Sequence, residues 1–258
     1  MKNQFARLLL GLACTALIAP VIAGEREQVF ADVPDPASVQ RFFEPPASLD
    51  GSLLEVDDPL EAFNRRMYTF NAGFDHLVFL PVVHGYQWVM PDFAERGVRN
   101  FFSNLLEIRN FLNNALQLQG EDSVVTLGRF VINTTVGIGG LFDPATRIGM
   151  LVRKEDFGQT LGRWGVGAGP YLVLPLLGPS GLRDTAGLAI DFATQYAIDP
   201  LNVNDAGDKN GERITLNLLN AVDTRANIAF RYYQTGSPFE YVLVRYGYTR
   251  MREVEIER

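Results

Sequence analysis

Between Phe101 and Gln119 the residues follow a helical period that leaves little freedom in how this chain packs. Ser103, Glu107, Asn110, Asn114 and Gln117 recur at three- or four-residue steps and fall on one narrow polar stripe. Phe101, Leu105, Ile108, Leu112 and Leu116 run along a broad apolar side. The stripe carries a single charge. A helix bathed in water ordinarily shows far more Lys and Glu, so this one is expected to turn its polar side to lipid headgroups, a lumen or a partner.

The rest of the chain is punctuated as a series of helices. Asp58, Pro59 and Glu61 predict a sharp start, with the Asp58 side chain as cap, proline at the first helical position and Glu61 completing a capping box. Leu60, Phe63, Met67, Phe70 and Phe74 then form an aromatic face, either packing core or lipid contact, beside a stripe of Asn64, Tyr68, Asn71 and Asp75. Pro81 and Pro91 bracket a short helix or turn over His84 to Met90. Gly120 is expected to end the Phe101 helix, and the next helix runs from Asp122 or Ser123 to Val136 with Gly137 as its left-handed stop. Gly137, Gly139 and Gly140 read as turn geometry or as a hinge. Glycines crowd residues 158–169, which favours tight turns over regular structure. Tyr171 to Leu177 is an apolar run, either core or a loop dipping into a membrane. Helices are expected from Asp184 to about Ala197 and from about Glu212 to Tyr233, and a last one begins at a second capping box, Ser237-Pro238-Phe239-Glu240.

The N-terminus reads as an export signal. Lys2 and Arg7 precede an apolar stretch from Leu8 to Ala19, and Val21-Ile22-Ala23 offers a small-residue cleavage site before Gly24. Cys14, the only cysteine, lies inside that stretch; Gly11 replaces the leucine of a lipid-attachment motif, so an unlipidated product is expected. The expected organisation is a signal over 1–23, an extended Pro-containing arm over 24–56 and one helical domain over 57–258. Removing the signal leaves 21 basic against 30 acidic residues, a balance of −9. An acidic chain without a basic run is a poor ligand for nucleic acid, and its membrane contact must come from apolar area.

Motifs for catalysis are missing. Gly178-Pro179-Ser180-Gly181 lacks the glycine two residues before the serine that a hydrolase elbow requires. His76 and His84 lie eight apart without a metal-binding pattern. No phosphate-binding Gly-Lys loop occurs, and Gly165-Val166-Gly167-Ala168-Gly169 has the wrong spacing for a dinucleotide fingerprint. The chain is therefore expected to be no enzyme and to carry no cofactor or metal.

The stretch from Asp58 to Asn71 (DPLEAFNRRMYTFN) resembles the signature of the MlaA family, also called VacJ. Further positions follow in family order: Arg129 with Asn133-Thr134, GIGGLFDPA over 137–145, EDFGQTLGRWGVGAGPYLVLP over 155–175, Gly178-Pro179-Ser180, Arg183-Asp184 and Thr224-Arg225-Ala226. The resemblance implies an all-α fold, a single-domain ring of amphipathic helices around a central amphipathic channel, lying in the periplasmic leaflet of the outer membrane. It implies phospholipid transport: lipid misplaced in the outer leaflet is removed beside a porin trimer and handed to a soluble periplasmic carrier resembling MlaC. The alternative is a porin-associated structural protein with an indirect effect on lipids. Candidate lipid or membrane contacts are Phe63, Asn64, Met67, Phe70, Phe101, Leu105, Leu112, Leu172 and Leu174, and the candidate channel hinge is Gly137, Gly139 and Gly140.

Overall fold

The computed structural model describes residues 56–199, 210–234, 236–237 and 239–258. The expected signal, Cys14 and nearly all of the arm lie outside them. The fold is mostly helical, with one short hairpin. In order, α1 (Glu61–Phe74) passes through a π-helical turn (Asp75–Phe79) into α2 (Leu80–Val89), followed by α3 (Asp92–Leu116), α4 (Gly120–Thr135), a single turn α5 (Pro144–Arg147) and α6 (Phe157–Arg163). Strands β1 (Tyr171–Leu174) and β2 (Gly178–Gly181) come next, then α7 (Leu182–Ile198), α8 (Asn210–Ala226) and α9 (Glu240–Glu257).

Burial runs against the usual pattern. Asn64, Asn104, Glu107, Asn110, Asn113, Asn114, Thr126, Arg129 and Asn133 are buried, while Leu127, Val131, Phe70, Trp88, Phe93, Phe192 and many other large apolar side chains are exposed. The α3–α4 hairpin is the clearest case. Its polar stripe faces inward, and its centre is Arg129, whose Nε donates to Glu107 Oε1 at 2.6 Å while Nη1 and Nη2 reach Thr146 Oγ1 and Asp143 Oδ2. Asn133 adds bonds to Asp143 and to the Ala145 amide, which fastens α5 across the end of the hairpin. A buried charge is tolerable only when paired and hydrogen-bonded, and Glu107, at 0% exposure, meets both conditions.

Aromatic packing holds the other half. Tyr68, Tyr171, Val173 and Tyr241 form a buried cluster joining α1, β1 and α9. The apolar run expected at Tyr171 to Leu177 is β1 and its turn: Tyr171 pairs with Gly181 and Leu174 with Gly178 in an antiparallel register. Two asparagines of α1, seven residues and so two turns apart, dock on the hairpin, Asn64 on the free edge of β1 and Asn71 on the turn that follows it. Asn64 Nδ2 donates to Tyr171 O at 3.0 Å and its Oδ1 accepts from Val173 N at 2.8 Å; Asn71 bonds Leu174 O and Leu176 N in the same manner. The Asn64 amide stands in for the peptide of a missing neighbour strand, and the Asn71 amide satisfies the turn.

Several local expectations need correction. Asp58 does not cap α1; its carboxylate takes Asn64 Nδ2 at 2.7 Å, the Tyr241 hydroxyl and Arg245, so a buried ion pair across the fold outcompetes the local cap. Glu240 likewise accepts from Tyr68 and the Tyr233 amide, while Pro238 of that second capping box lies outside the described residues. Residue Leu118, at φ 60°, makes the left-handed turn after α3, and Gly120 opens α4. At the end of α4 the left-handed residues are Ile138, Gly139 and Gly140; Gly137 instead avoids collision, since a Cβ there would lie 2.3 Å from Asn133 O. The glycine-rich stretch includes helix α6, which abuts α7 so closely that a Cβ on Gly187 would lie 2.2 Å from Gly158 N.

Candidate functional site

A cleft of about 550 Å³ opens between the α1 end, the hairpin turn, the segment after α8 and one face of α9. Its size is that of a pocket for a small organic molecule or part of a lipid. The π-helical turn is what presents its polar end: by inserting a residue into the helical repeat, it turns Asp75 inward while Leu77 and Val78 face out. Arg225, near the end of α8, meets Asp75 with both Nε and Nη2, the latter at 2.7 Å from Oδ2. The same guanidinium donates to the carbonyls of Ile228 and Phe230, which fixes the chain as it leaves α8.

The walls are apolar. Phe74 and Phe79 come from α1 and the π turn, Leu176 and Leu177 from the hairpin turn, Ile228 and Phe230 from the segment after α8, and Leu243, Val244 and Met251 from α9. Asn71 and Tyr248 add polar atoms that are already committed, Asn71 to the hairpin and Tyr248 to Asp184 Oδ2 at 2.8 Å. The cleft is therefore amphipathic, with an ion pair at one end and hydrocarbon along its sides.

Behind Tyr248 lies a second ionic cluster that braces the cleft. Arg252 of α9 donates to Asp156 at the start of α6 and to Asp184 of α7, and Arg183 adds to Asp184. Burial pushes the Asp156 carboxyl up, but the hydrogen bonds and charge of Arg252, with the Gln159 amide, outweigh it and hold that carboxyl at about 2. Asp184 is lowered for the same reasons. Glu155 and Asp191 show the opposite balance: burial raises both, and their hydrogen-bond donors with the charges of Arg258 and Arg163 at Glu155 and of Arg109 at Asp191 offset it only in part.

None of the nine residues expected to meet lipid lines this cleft. Phe63 and Phe70 are exposed on the outer face of α1; Met67, Leu105, Leu112, Leu172 and Leu174 are half-buried. Asn64 and Phe101 are buried, at 0% and 7% exposure, so neither reaches the surface. Asn64 docks β1, and Phe101 packs edge-on against Phe102. Gly137, Gly139 and Gly140 sit in the turn after α4: Gly139 and Gly140 have positive φ, and a Cβ on Gly140 would lie 2.8 Å from Asn104 of α3. What the sequence reading missed was the partner of the Asn71 and Asp75 stripe. Its signal was Arg225, within Thr224-Arg225-Ala226, a cation with no acid one helical turn away on either side.

A family model described as MlaA lipoprotein matches residues 56–255. An uncharacterised protein of Rickettsia typhi is 35% identical over 209 residues, covering 81% of each chain. The intermembrane phospholipid transport system lipoprotein MlaA of Escherichia coli is 40% identical over 134 residues, which is 50% of this chain and 53% of that one. A solved chain described under "Structural basis for maintenance of bacterial outer membrane lipid asymmetry" superposes with a TM-score of 0.64 at 29% identity, covering 78% of this chain and 100% of the other.

Proposed function

The chain belongs to the MlaA lipoprotein family, and on that premise we propose that it is a phospholipid conduit of the outer membrane, removing misplaced lipid from the outer leaflet. The observation that carries this reading is the inverted burial: a polar interior under an apolar exterior suits a protein immersed in hydrocarbon. Among the described residues no helix is long and apolar enough to cross a membrane, so the exterior suits one leaflet. Phe63, Phe70 and the exposed side chains of α2 and α4 supply that contact area, with the periplasmic leaflet as their surroundings.

Moving a two-chain lipid through water exposes some 30 methylenes at about 0.8 kcal/mol each, on the order of 20 kcal/mol or more. A route that lowers this cost needs hydrocarbon for the tails and a fixed dipole or charge for the headgroup. The cleft provides both in Phe74, Phe79, Leu243 and Met251 on the one hand and Asp75 with Arg225 on the other. Since this route is passive, direction comes from partners, which we take to be a porin trimer and an MlaC-like periplasmic carrier.

The test is transfer in a reconstituted system. The full chain in vesicles should pass labelled phospholipid to a soluble lipid carrier without hydrolysing it, and protein-free vesicles should not. Intact chain that leaves the label in the vesicles, while still binding porin, would replace this reading with a structural role at the porin.

A further inference from the structure

The polar end of the cleft holds more positive charge than it neutralises. Arg225 is committed to Asp75 and to the carbonyls of Ile228 and Phe230. Arg231 places its Nη1 on the same two carbonyls, at 2.6 and 3.1 Å. Two guanidiniums thus converge on one pair of peptide oxygens, with the single carboxylate of Asp75 at Arg225.

Every buried arginine described, Arg129, Arg183, Arg225, Arg245 and Arg252, has a carboxylate partner. Half-buried Arg231 has a second arginine beside it instead, and its described hydrogen bonds go only to carbonyls. Burial and then the neighbouring Arg225 lower its affinity for its proton, and Asp75, already paired with Arg225, offsets them only in part. A guanidinium nevertheless stays charged in a protein, so a cation is maintained where its surroundings oppose it. Among the described residues its Nε and Nη2 have no acceptor.

Position supplies the rest. Ile228, Phe230 and Tyr232 line the cleft; Arg231, between the last two in the chain, is tied to it through the Ile228 and Phe230 carbonyls, which it shares with the cleft-lining Arg225. A guanidinium fork matches the oxygens of a phosphate with two parallel bonds. We infer that Arg231 is a phosphate-holding residue, taking the phosphodiester of a phospholipid whose acyl chains lie against the apolar walls of the cleft. This rests on the lipid-conduit reading and adds to it the residue that distinguishes a phospholipid from a neutral lipid of the same chains.

The test is native mass spectrometry of the full chain in a maltoside detergent, with phosphatidylglycerol, diacylglycerol of identical chains, or inorganic phosphate added. The wild-type chain should retain phosphatidylglycerol about tenfold better than diacylglycerol, the scale of one added charge-assisted contact. Arg231→Gln should bring the two to parity with diacylglycerol retention unchanged, which also shows that the cleft is intact, and Arg231→Lys should restore part of the preference. A preference that survives Arg231→Gln overturns the assignment. So does competition by inorganic phosphate at the same concentration as lipid, which would make the site one for free phosphate. Equal retention of both lipids by the wild type overturns the phosphate site alone; retention of neither overturns the conduit reading with it.

Discussion

The α3–α4 hairpin and the α1–β1–α9 unit solve the same packing problem with opposite chemistry. In the hairpin, the seam between helices is Asn104, Glu107, Asn110, Asn114, Thr126 and Arg129, and Leu116, Val124, Leu127 and Val131 face out. In the second unit, tyrosine rings meet edge to face, Tyr68 against Tyr232 and Tyr241 at centroid distances of 5.0 and 5.7 Å, and their hydroxyls reach Glu240 and Asp58. The difference teaches where each unit finds its cohesion. Hydrocarbon surroundings remove the hydrophobic drive between helices, so on the proposed reading the α3–α4 seam relies on hydrogen bonds and charge, whereas the cluster around Tyr68 excludes solvent by itself.

The sharpest way to break the comparison is Arg129→Met. It leaves Glu107 buried without its cation and deprives Asp143 and Thr146 of a donor. Loss of one partner from a buried pair costs about 3–5 kcal/mol, and the hairpin should unfold first in denaturant titration. Tyr68→Phe, which removes one hydroxyl from Glu240 while keeping the ring, should cost about 1 kcal/mol. Equal losses would mean that the two units do not differ in what holds them.

Asn64→Ala is expected to cost about 1–3 kcal/mol, because it leaves the Val173 amide and Tyr171 carbonyl unpaired in a buried place. Asn71→Ala does the same to Leu174 and Leu176 at the cleft margin. Hydrogen exchange at Val173 and Leu176 should accelerate in the matching variant and not in the other. Simultaneous acceleration of both amides would show that β1 moves as one body.

How far the sequence foretold this arrangement depends on the kind of interaction. The helical period from Phe101 to Gln119 placed Glu107, Asn110 and Asn114 on the shared buried face, because period sets which residues share a face, but it left out the buried Asn104 and Asn113. It did not reveal that the stripe is the interior, since binary patterning is the same for a helix packed in water and one inverted in lipid. The only sequence signal was the scarcity of charge along it. Asp58 and Glu240 fit local capping patterns, yet their partners Arg245 and Tyr68 lie 187 and 172 residues away in the chain, where local rules have no reach. The hairpin was hidden for a related reason. Tyr171 to Leu174 is too short to show alternation, and its edge is completed by asparagines from α1 instead of a third strand. The cleft joins Asp75 to Arg225, 150 residues apart; the α1 stripe marked one and the Thr224-Arg225-Ala226 motif the other, but nothing in the sequence paired them.

Acid sensitivity gives a smaller test. Asp156 and Asp184 have depressed values in the fold, so the stability they contribute is complete above the ordinary carboxyl range and is lost as pH falls toward 2. Glu155 and Asp191 are raised, so their contribution is present at low pH and is lost as pH rises through the ordinary range to their elevated values. The thermal midpoint should therefore fall on both sides of a mildly acidic maximum. Asp156→Asn should flatten the acid limb by at most about 2 kcal/mol, the free energy of its downward shift. An unchanged acid limb would place the ionic brace elsewhere than at Arg252.

Least disturbing to the fold is a change on the outer face of α4. Leu127 and Val131 are exposed, and among the described residues they border no buried apolar cluster. Leu127→Gln with Val131→Gln should leave the denaturation midpoint in detergent within about 0.5 kcal/mol of wild type, as for surface substitutions generally. In vesicles the outcome should differ, because each lost apolar side chain withdraws roughly 1.5–3 kcal/mol of burial from the membrane-bound state alone. Flotation with phospholipid vesicles should weaken accordingly while Arg129 and its acceptors keep the hairpin folded. A variant that floats like wild type would assign this face to something other than lipid, and would leave α2, with Trp88 and Val82, as the surface that meets the hydrocarbon.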